Sequence, residues 1–170
     1  MRFGRLAIVV LTFGIVGIPA VARAQGTALG YVFTGPVWES GDARQAFTFG
    51  GGGEIVTGWK GTKIGLQAEH LWFPATETDG WFLRPISAGV VSIDLSRHFN
   101  QSSGSGRWQP FLTGGVFIAA SGDAADGGFT IGAGVDRWFT QHTGLRIDVR
   151  DQSLPNSFSI VGVRVGIVFR

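Results

Sequence analysis

The 170-residue sequence contains no cysteine, and only 15% of its residues are charged. Without cysteine the chain cannot form disulfides or thiolate metal sites, so its stability must come from burial and backbone hydrogen bonding. After residue 24 it also lacks any apolar run near the roughly 20 residues that a transmembrane helix requires, and it shows no helical hydrophobic period. These absences exclude disulfide-stabilised folds and direct attention to β-structure.

The first 24 residues have the pattern of a secretory signal peptide. Arg2 and Arg5 form a basic start, residues 6–18 are apolar, and residues 22–24 (ARA) form a small-x-small cleavage site. We therefore predict export and a single mature domain covering residues 25–170. Removing the signal lowers the basic residues from 14 to 11 against 12 acidic ones, so no basic footprint for nucleic acid is expected.

Glycine and aromatic residues are abundant instead. The chain has 28 Gly together with 14 Phe, 6 Trp and 1 Tyr. High glycine content alone can indicate disorder, but disordered chains are poor in the aromatic and β-branched residues that are plentiful here. Glycine inside strands relieves crowding in a small, tightly curved barrel.

Turn signals divide the mature chain into eight strand-like segments. The breaks are rich in Gly, Pro, Asn, Asp and Ser, as in the stretches ESGD and NQSSGSGR. An even number of strands suits a closed antiparallel barrel. The predicted strands are residues 27–38, 45–59, 62–73, 81–99, 108–121, 128–139, 144–152 and 158–170.

The last strand alternates strictly between two faces. Its sequence from residue 160 to 169 is IVGVRVGIVF, with bulky apolar residues on one face and Gly162, Arg164 and Gly166 on the other. This alternation suits either a soluble strand or a barrel strand that is apolar toward lipid and polar toward the lumen. Strand seven has the same parity. The predicted lipid-facing residues of these two strands are Leu145, Ile147, Val149, Val161, Val163, Val165 and Ile167.

Charged residues of several strands share the opposite parity, which predicts a charge network inside the barrel. Slipping strand seven by one residue would expose Arg146, Asp148 and Arg150 to lipid, at roughly 2–4 kcal/mol for each arginine at the midplane. The charges nearly cancel and should pair with one another in a filled lumen that leaves no diffusion pore. The predicted network comprises Glu54, Lys63, Glu69, Asp94, Asp136, Arg146, Asp148, Arg150 and Arg164.

Aromatic residues cluster near the strand ends, as in the aromatic girdles of membrane barrels. With both termini in the periplasm, one girdle borders the extracellular loops and the other the periplasmic turns. The tryptophans predicted at the two interfaces are Trp38, Trp59, Trp72, Trp81, Trp108 and Trp138.

Strands one, two and five give weaker signals. Four consecutive glycines at residues 50–53 erase the parity of strand two, and strand five is apolar on both faces. A bulge in either strand would explain this. Pro85 and Pro110 lack an amide donor, so we expect each near a rim or at a bulge.

The motifs QPFLTGG, GAGVDRWF and GLRIDVR, with the signal peptide and the alternating terminal strand, resemble the small eight-stranded outer-membrane β-barrels of Gram-negative bacteria, the OmpA/OmpX-like family. The resemblance implies residence in the outer membrane, contact with its lipid and lipopolysaccharide, and insertion by the barrel-assembly machinery. In that family a terminal aromatic residue forms part of the insertion signal. Here Phe169 would take that role, although Arg170 follows it.

Candidate catalytic and metal-binding residues are few. Some barrels of this architecture modify lipid A with a His, a Ser and a carboxylate, but His70 has no Ser in the corresponding place. Three isolated histidines do not match a zinc site. Asp123 and Asp126 do not have EF-hand spacing and suit a solvated acidic loop. We therefore expect no cofactor, no metal and no enzymatic activity.

Three hypotheses follow. The first is a non-enzymatic outer-membrane barrel with a structural or surface-contact role. The second is a secreted, soluble lipocalin-like barrel that binds an apolar ligand, in which the charged parity would face water and the valines would line the cavity. The third is an outer-membrane lipid-modifying enzyme. The face that points inward separates the first hypothesis from the second.

Overall fold

The computed structural model describes residues 28–40, 45–57, 59, 61–74, 86–99, 107–122, 124–155 and 159–170. The predicted signal peptide and Trp81 lie outside these residues. Within them, no helix is both long and apolar enough to cross a membrane.

Eight β-strands account for almost all of the described chain. Their alternating or β-branched composition favours extended backbone, and short polar connections separate them. The strands are β1 (Ala28–Glu39), β2 (Gln45–Val56), β3 (Thr62–Phe73), β4 (Ile86–His98), β5 (Trp108–Ser121), β6 (Ala124–Trp138), β7 (Thr143–Ser153) and β8 (Ser159–Phe169).

Each strand pairs antiparallel with its neighbours in sequence, and β8 pairs with β1 to close the barrel. Following Cα partners around the barrel from Ala28 leads back to β1 at Trp38, ten residues further along the strand. A stagger of this kind makes the strands of a closed barrel tilt. The predicted all-β, eight-stranded, up-and-down architecture is confirmed.

The barrel has two ends, which we name by their connections. The upper end carries the connections β1–β2, β3–β4, β5–β6 and β7–β8. The lower end carries the chain termini and the connections β2–β3, β4–β5 and β6–β7.

Strand boundaries differ from the prediction mainly at the β5–β6 hairpin. The predicted strands leave a six-residue loop, residues 122–127, but Ser121 pairs with Ala124 and only two residues separate the paired strands. Gly122 makes this tight turn possible because its φ of 60° lies in the left-handed region that favours glycine.

The bulges considered for β2 and β5 are not found among the paired residues, because each ladder keeps a single register along its length. Pro110 lies on the outer face, in the third position of β5 and so near the lower rim. There a missing amide donor disturbs the ladder little. Pro85 lies outside the described residues.

Apolar and polar residues occupy opposite faces, in the reverse of a soluble barrel. Large apolar side chains are exposed on the outer face of all eight strands, among them Ile93 at 56% and Ile131 at 67%. The interior holds most of the buried charged groups in its middle, between two apolar layers. The upper apolar layer consists of Val37, Ala46, Leu71, Val90, Phe117 and Ile160. The lower apolar layer consists of Leu29, Tyr31, Phe33, Trp138 and Val168.

Candidate functional site

Arg146 is the centre of the lower part of the polar interior. Its guanidinium donates two hydrogen bonds to Asp136, at 2.7 and 2.9 Å, and a third to Glu54 at 2.8 Å. Arg146 comes from β7, Asp136 from β6 and Glu54 from β2, so this one side chain links both sides of the barrel. A planar guanidinium suits such two-oxygen contacts with carboxylates.

Glu54 has further partners besides Arg146. It accepts a hydrogen bond from the Ser96 hydroxyl at 3.2 Å, and His98 Nε2 lies 2.8 Å from the same carboxylate oxygen. Lys63 Nζ lies 3.8 Å away. These contacts offset the desolvation of a carboxylate that is only 5% exposed.

Aromatic rings enclose the Arg146 guanidinium. Its Cζ lies 4.3 Å from the ring centroid of Tyr31 and 4.6 Å from that of Phe111. The His98 ring stacks on the Phe111 ring, with the two ring centroids 5.1 Å apart. Cation–π attraction is strongest for desolvated cations, so the rings stabilise the arginine and also exclude water.

Arg164 organises the upper part of the interior. Its Nε and Nη2 donate to one oxygen of Asp148, at 2.8 and 2.6 Å, and its Nη1 lies 3.5 Å from Glu69. The Phe33 ring covers the guanidinium at 4.2 Å. Glu69 also accepts hydrogen bonds from Thr48 and Gln152.

Another buried ion pair, between Arg150 and Asp94, joins β7 to β4. Arg150 donates to Asp94 at 2.7 Å, and the Ser92 hydroxyl donates to the same oxygen at 3.1 Å. A small cavity lies between this pair and the upper apolar layer. It is lined by Val37, Glu69, Arg150, Gln152, Ile160, Gly162 and Arg164.

All nine charged residues that the sequence assigned to the lumen lie inside the barrel, each at most 6% exposed. Five carboxylates face four cations, and two arginines each serve two carboxylates. Because every charge has a partner of opposite sign, the interior is electrostatically close to neutral. Removing one partner of such a buried pair leaves an uncompensated charge and is strongly destabilising.

The seven residues predicted to face lipid all lie on the outer face. Val149, Val165 and Ile167 are exposed at 48%, 46% and 52%. Leu145, Ile147 and Val163 are half-buried, because neighbouring outer side chains of β7 and β8 cover them in part.

Trp138 corrects one prediction. It was assigned to an interface girdle, but its side chain points inward, is 3% exposed and belongs to the lower apolar layer. Its indole N–H donates to Gln109 at 3.1 Å, and the Arg170 guanidinium covers its ring at 4.1 Å. The parity that placed Asp136 inward also places Trp138 inward, two residues later.

The other described tryptophans assigned to the girdles lie on the outer surface. Trp38 and Trp72 are exposed near the upper end, at 37% and 47%. Trp59 and Trp108 are exposed near the lower end, at 73% and 52%.

The predicted network omitted several polar residues of the interior. His98 is buried between Glu54 and Phe111, and Gln67 accepts a hydrogen bond from the Tyr31 hydroxyl at 3.3 Å. Strand parity pointed to both His98 and Gln67, whereas only the barrel closure shows which residues they meet.

The remaining candidates for chemistry are dispersed. His70 lies on the outer face with its ring 5.2 Å from that of Phe49. His142 is exposed in the β6–β7 turn, with Nδ1 3.2 Å from the Arg170 carbonyl oxygen. Among the described residues, no group of three His, Asp or Glu side chains could hold a metal ion. Asp123 lies outside those residues.

Comparison with solved structures finds several outer-membrane barrels. The N-terminal β-barrel domain of OprF from Pseudomonas aeruginosa superposes with a TM-score of 0.58 at 17% identity, covering 85% of this chain and 98% of that one. Neisserial surface protein A gives 0.66 at 11% identity, covering 85% and 97%. The chain has the fold of the small eight-stranded outer-membrane β-barrels.

Ail from Yersinia pestis, solved with the heparin analogue sucrose octasulfate, has the same fold, with a TM-score of 0.55, 10% identity and coverage of 84% and 96%. At these identities the likeness establishes the fold alone. No protein-family model matches the sequence, and no curated protein matches it either.

Proposed function

We propose that the chain is a non-enzymatic integral protein of the bacterial outer membrane, exported through its signal peptide, with a role in envelope structure or surface contact. The observation that carries this proposal is the reversed polarity of the barrel. Exposed apolar side chains surround it, while buried ion pairs fill its interior. In water such an outer surface would strongly favour aggregation, whereas in a bilayer it is the preferred lipid contact.

The strand lengths and the tryptophan positions also support membrane insertion. Strands of 11 to 15 residues are sufficient for tilted strands to cross a bilayer. The exposed tryptophans at both ends match the amphipathic girdles that anchor barrels at the two interfaces. Lipid and lipopolysaccharide are therefore the proposed surroundings of the outer face.

A structural role agrees better than solute transport with the filled interior. Within the described residues, two apolar layers and the ion-pair network between them fill the interior, and the cavity near Arg150 and Glu69 is small. Eight strands enclose a space that side chains can fill completely. We therefore propose that the barrel does not conduct solutes as porins do.

Phe169 is the proposed contact with the assembly machinery. It lies at the end of β8, with its ring against Gly30 of β1. Arg170 continues past it and donates its backbone N–H to the His142 carbonyl oxygen at 3.0 Å. The aromatic residue thus stays on the outer face while the terminal arginine folds over the lower end.

Neither alternative finds comparable support. A lipocalin-like barrel requires an apolar cavity, but Arg146, Arg150 and Arg164 point inward. Val161, Val163 and Val165 of β8 point outward. A lipid-modifying enzyme would need a partner for His70, and no described hydrogen bond joins His70 to a serine or a carboxylate.

Cell fractionation tests the proposal. The full-length chain should be recovered in the outer-membrane fraction, and the folded barrel should migrate differently on gels before and after boiling. Recovery as a soluble periplasmic protein would contradict membrane insertion. Purified protein in a planar bilayer should show no steady porin-like conductance, and a large open channel would contradict the filled lumen.

A further inference from the structure

Charges outside the lumen are divided between the two ends of the barrel. Seven of the twelve acidic residues lie outside the lumen, and all seven belong to the upper half or to its connecting segments. These are Glu39, Asp42, Glu77, Asp79, Asp123, Asp126 and Asp151. Only two basic residues, Arg44 and Arg84, belong to the same connections.

The lower end has the opposite charge. Its three connecting segments, residues 57–61, 99–107 and 139–142, contain no Asp or Glu. The basic residues of this end are Lys60, Arg97, Arg107, Arg137 and Arg170. The near-neutral chain is therefore strongly polarised along the barrel axis.

Two of these arginines, Arg97 and Arg137, lie on the outer face, and Arg137 lies beside exposed aromatic rings. Arg137 places its Cζ 5.1 Å from the ring centroid of Trp108 and 5.8 Å from that of Phe139. Arg97, on the other side of β5, donates a hydrogen bond to Thr62 at 3.0 Å. Arg97 and Arg137 are exposed residues, and no described ion pair includes either of them.

This combination fits a phosphate group at the level of lipid headgroups. Arginine binds phosphate oxygens through two parallel donors, and its stem can lie along apolar surface while the charged head reaches the interface. Trp108 and Phe139 mark that interface. The connecting segments of this end contain no Asp or Glu whose carboxylate would compete with a phosphate for the guanidiniums.

We propose that Arg97 and Arg137 form a binding surface for the headgroup phosphate of anionic glycerophospholipids in the leaflet that surrounds the lower end. This inference rests on the proposed function, because it requires the barrel to be in a bilayer. The acidic residues of the upper end would repel the same lipids, so the two leaflets would contact surfaces of opposite charge. The site would thereby fix the depth and orientation of the barrel.

Spin-labelled lipids measure this selectivity directly. The mature chain is refolded into phosphatidylcholine vesicles that contain trace spin-labelled phosphatidylglycerol, phosphatidylcholine or lipid A. We expect phosphatidylglycerol to be enriched at the protein surface about two- to fivefold over phosphatidylcholine, since a basic residue near an anionic surface contributes on the order of 1 kcal/mol. The double variant R97Q/R137Q should lose most of this enrichment, and added salt should weaken it in the native protein.

Two matched variants make the test specific. R97K/R137K keeps both charges and should retain most of the enrichment. E39Q/D126N neutralises two acidic charges at the upper end and leaves both arginines in place, so it should not lower the enrichment. Equal enrichment in the native protein and R97Q/R137Q would overturn the proposal, as would a preference for lipid A that depends on these arginines. Heat-modifiable migration of each variant confirms the folded barrel, so a failure to insert, which contradicts the proposed function, is distinguishable from an inserted barrel without selectivity.

Discussion

At the scale of single residues, the sequence predicts which face a side chain occupies but not its partner. Arg146 faces inward because its neighbours Leu145 and Ile147 are apolar and the alternation is strict. Its partner Glu54 is 92 positions away in the chain. Their meeting depends on the closure and stagger of the whole barrel, which no local pattern records.

Replacement of Arg146 by methionine should destabilise the barrel by about 3–5 kcal/mol, because Glu54 and Asp136 would be left buried without their shared cation. The matched control is R137M, whose arginine is exposed and outside any described ion pair. Its loss should stay near or below about 1 kcal/mol. Urea unfolding in vesicles, followed by tryptophan fluorescence, measures both. Equal losses would show that the interior pairs do not stabilise the fold.

Glycines within the strands differ in the space that a side chain would find. A Cβ at Gly115 would meet the Ile93 carbonyl oxygen and the Asp94 side chain, whereas one at Gly89 would meet nothing within 4 Å. G115A should therefore cost about 1–3 kcal/mol through overpacking. G89A should be neutral or slightly stabilising. The same unfolding experiment compares them, and a larger loss for G89A would contradict the described packing.

At the scale of elements, β5 shows why the parity signal fails locally. Its inward residues Phe111 and Phe117 are as apolar as its outward residues. Phe111 covers the Arg146 guanidinium, and Phe117 belongs to the upper apolar layer. Because both faces of β5 are apolar, the sequence pattern does not show which face of this strand points inward. The apolar layers at the two ends of the lumen could not be predicted, since their members come from strands far apart in the chain.

Trp138, at the end of β6, points inward, and we expect it to stabilise the lower apolar layer. W138A should cost about 3–5 kcal/mol, because it removes a large buried side chain. W138F keeps a ring but leaves Gln109 without its donor, for a smaller loss of about 1–3 kcal/mol. W108A, on the exposed face, serves as the control for urea unfolding. A loss for W108A that exceeds that for W138A would contradict the inward assignment.

At the scale of the whole molecule, the number of strands and the charged residues that point inward could be predicted from the sequence. The two-residue β5–β6 turn could not. Gly122 and Asp123 suggested only a loop, because extension of both strands into it depends on pairing between Ala119 and Asp126 and between Ala120 and Ala125. Barrel closure between β1 and β8 joins the two ends of the mature chain. It is a property of the assembled sheet and of no single segment.

A barrel of this reversed polarity requires that its apolar outer face meet lipid. Since the chain has no cysteine, single cysteines at Val149, Val165 and Ile167 can each carry a spin label, with Gln141 in the β6–β7 turn as the control. After refolding into vesicles, power saturation compares collisions with oxygen, which concentrates in the acyl chains, and with a water-soluble nickel chelate. We predict high oxygen and low nickel accessibility at the three outer sites, and the reverse at Gln141. High nickel accessibility at the outer sites of the folded barrel would contradict lipid contact on this face.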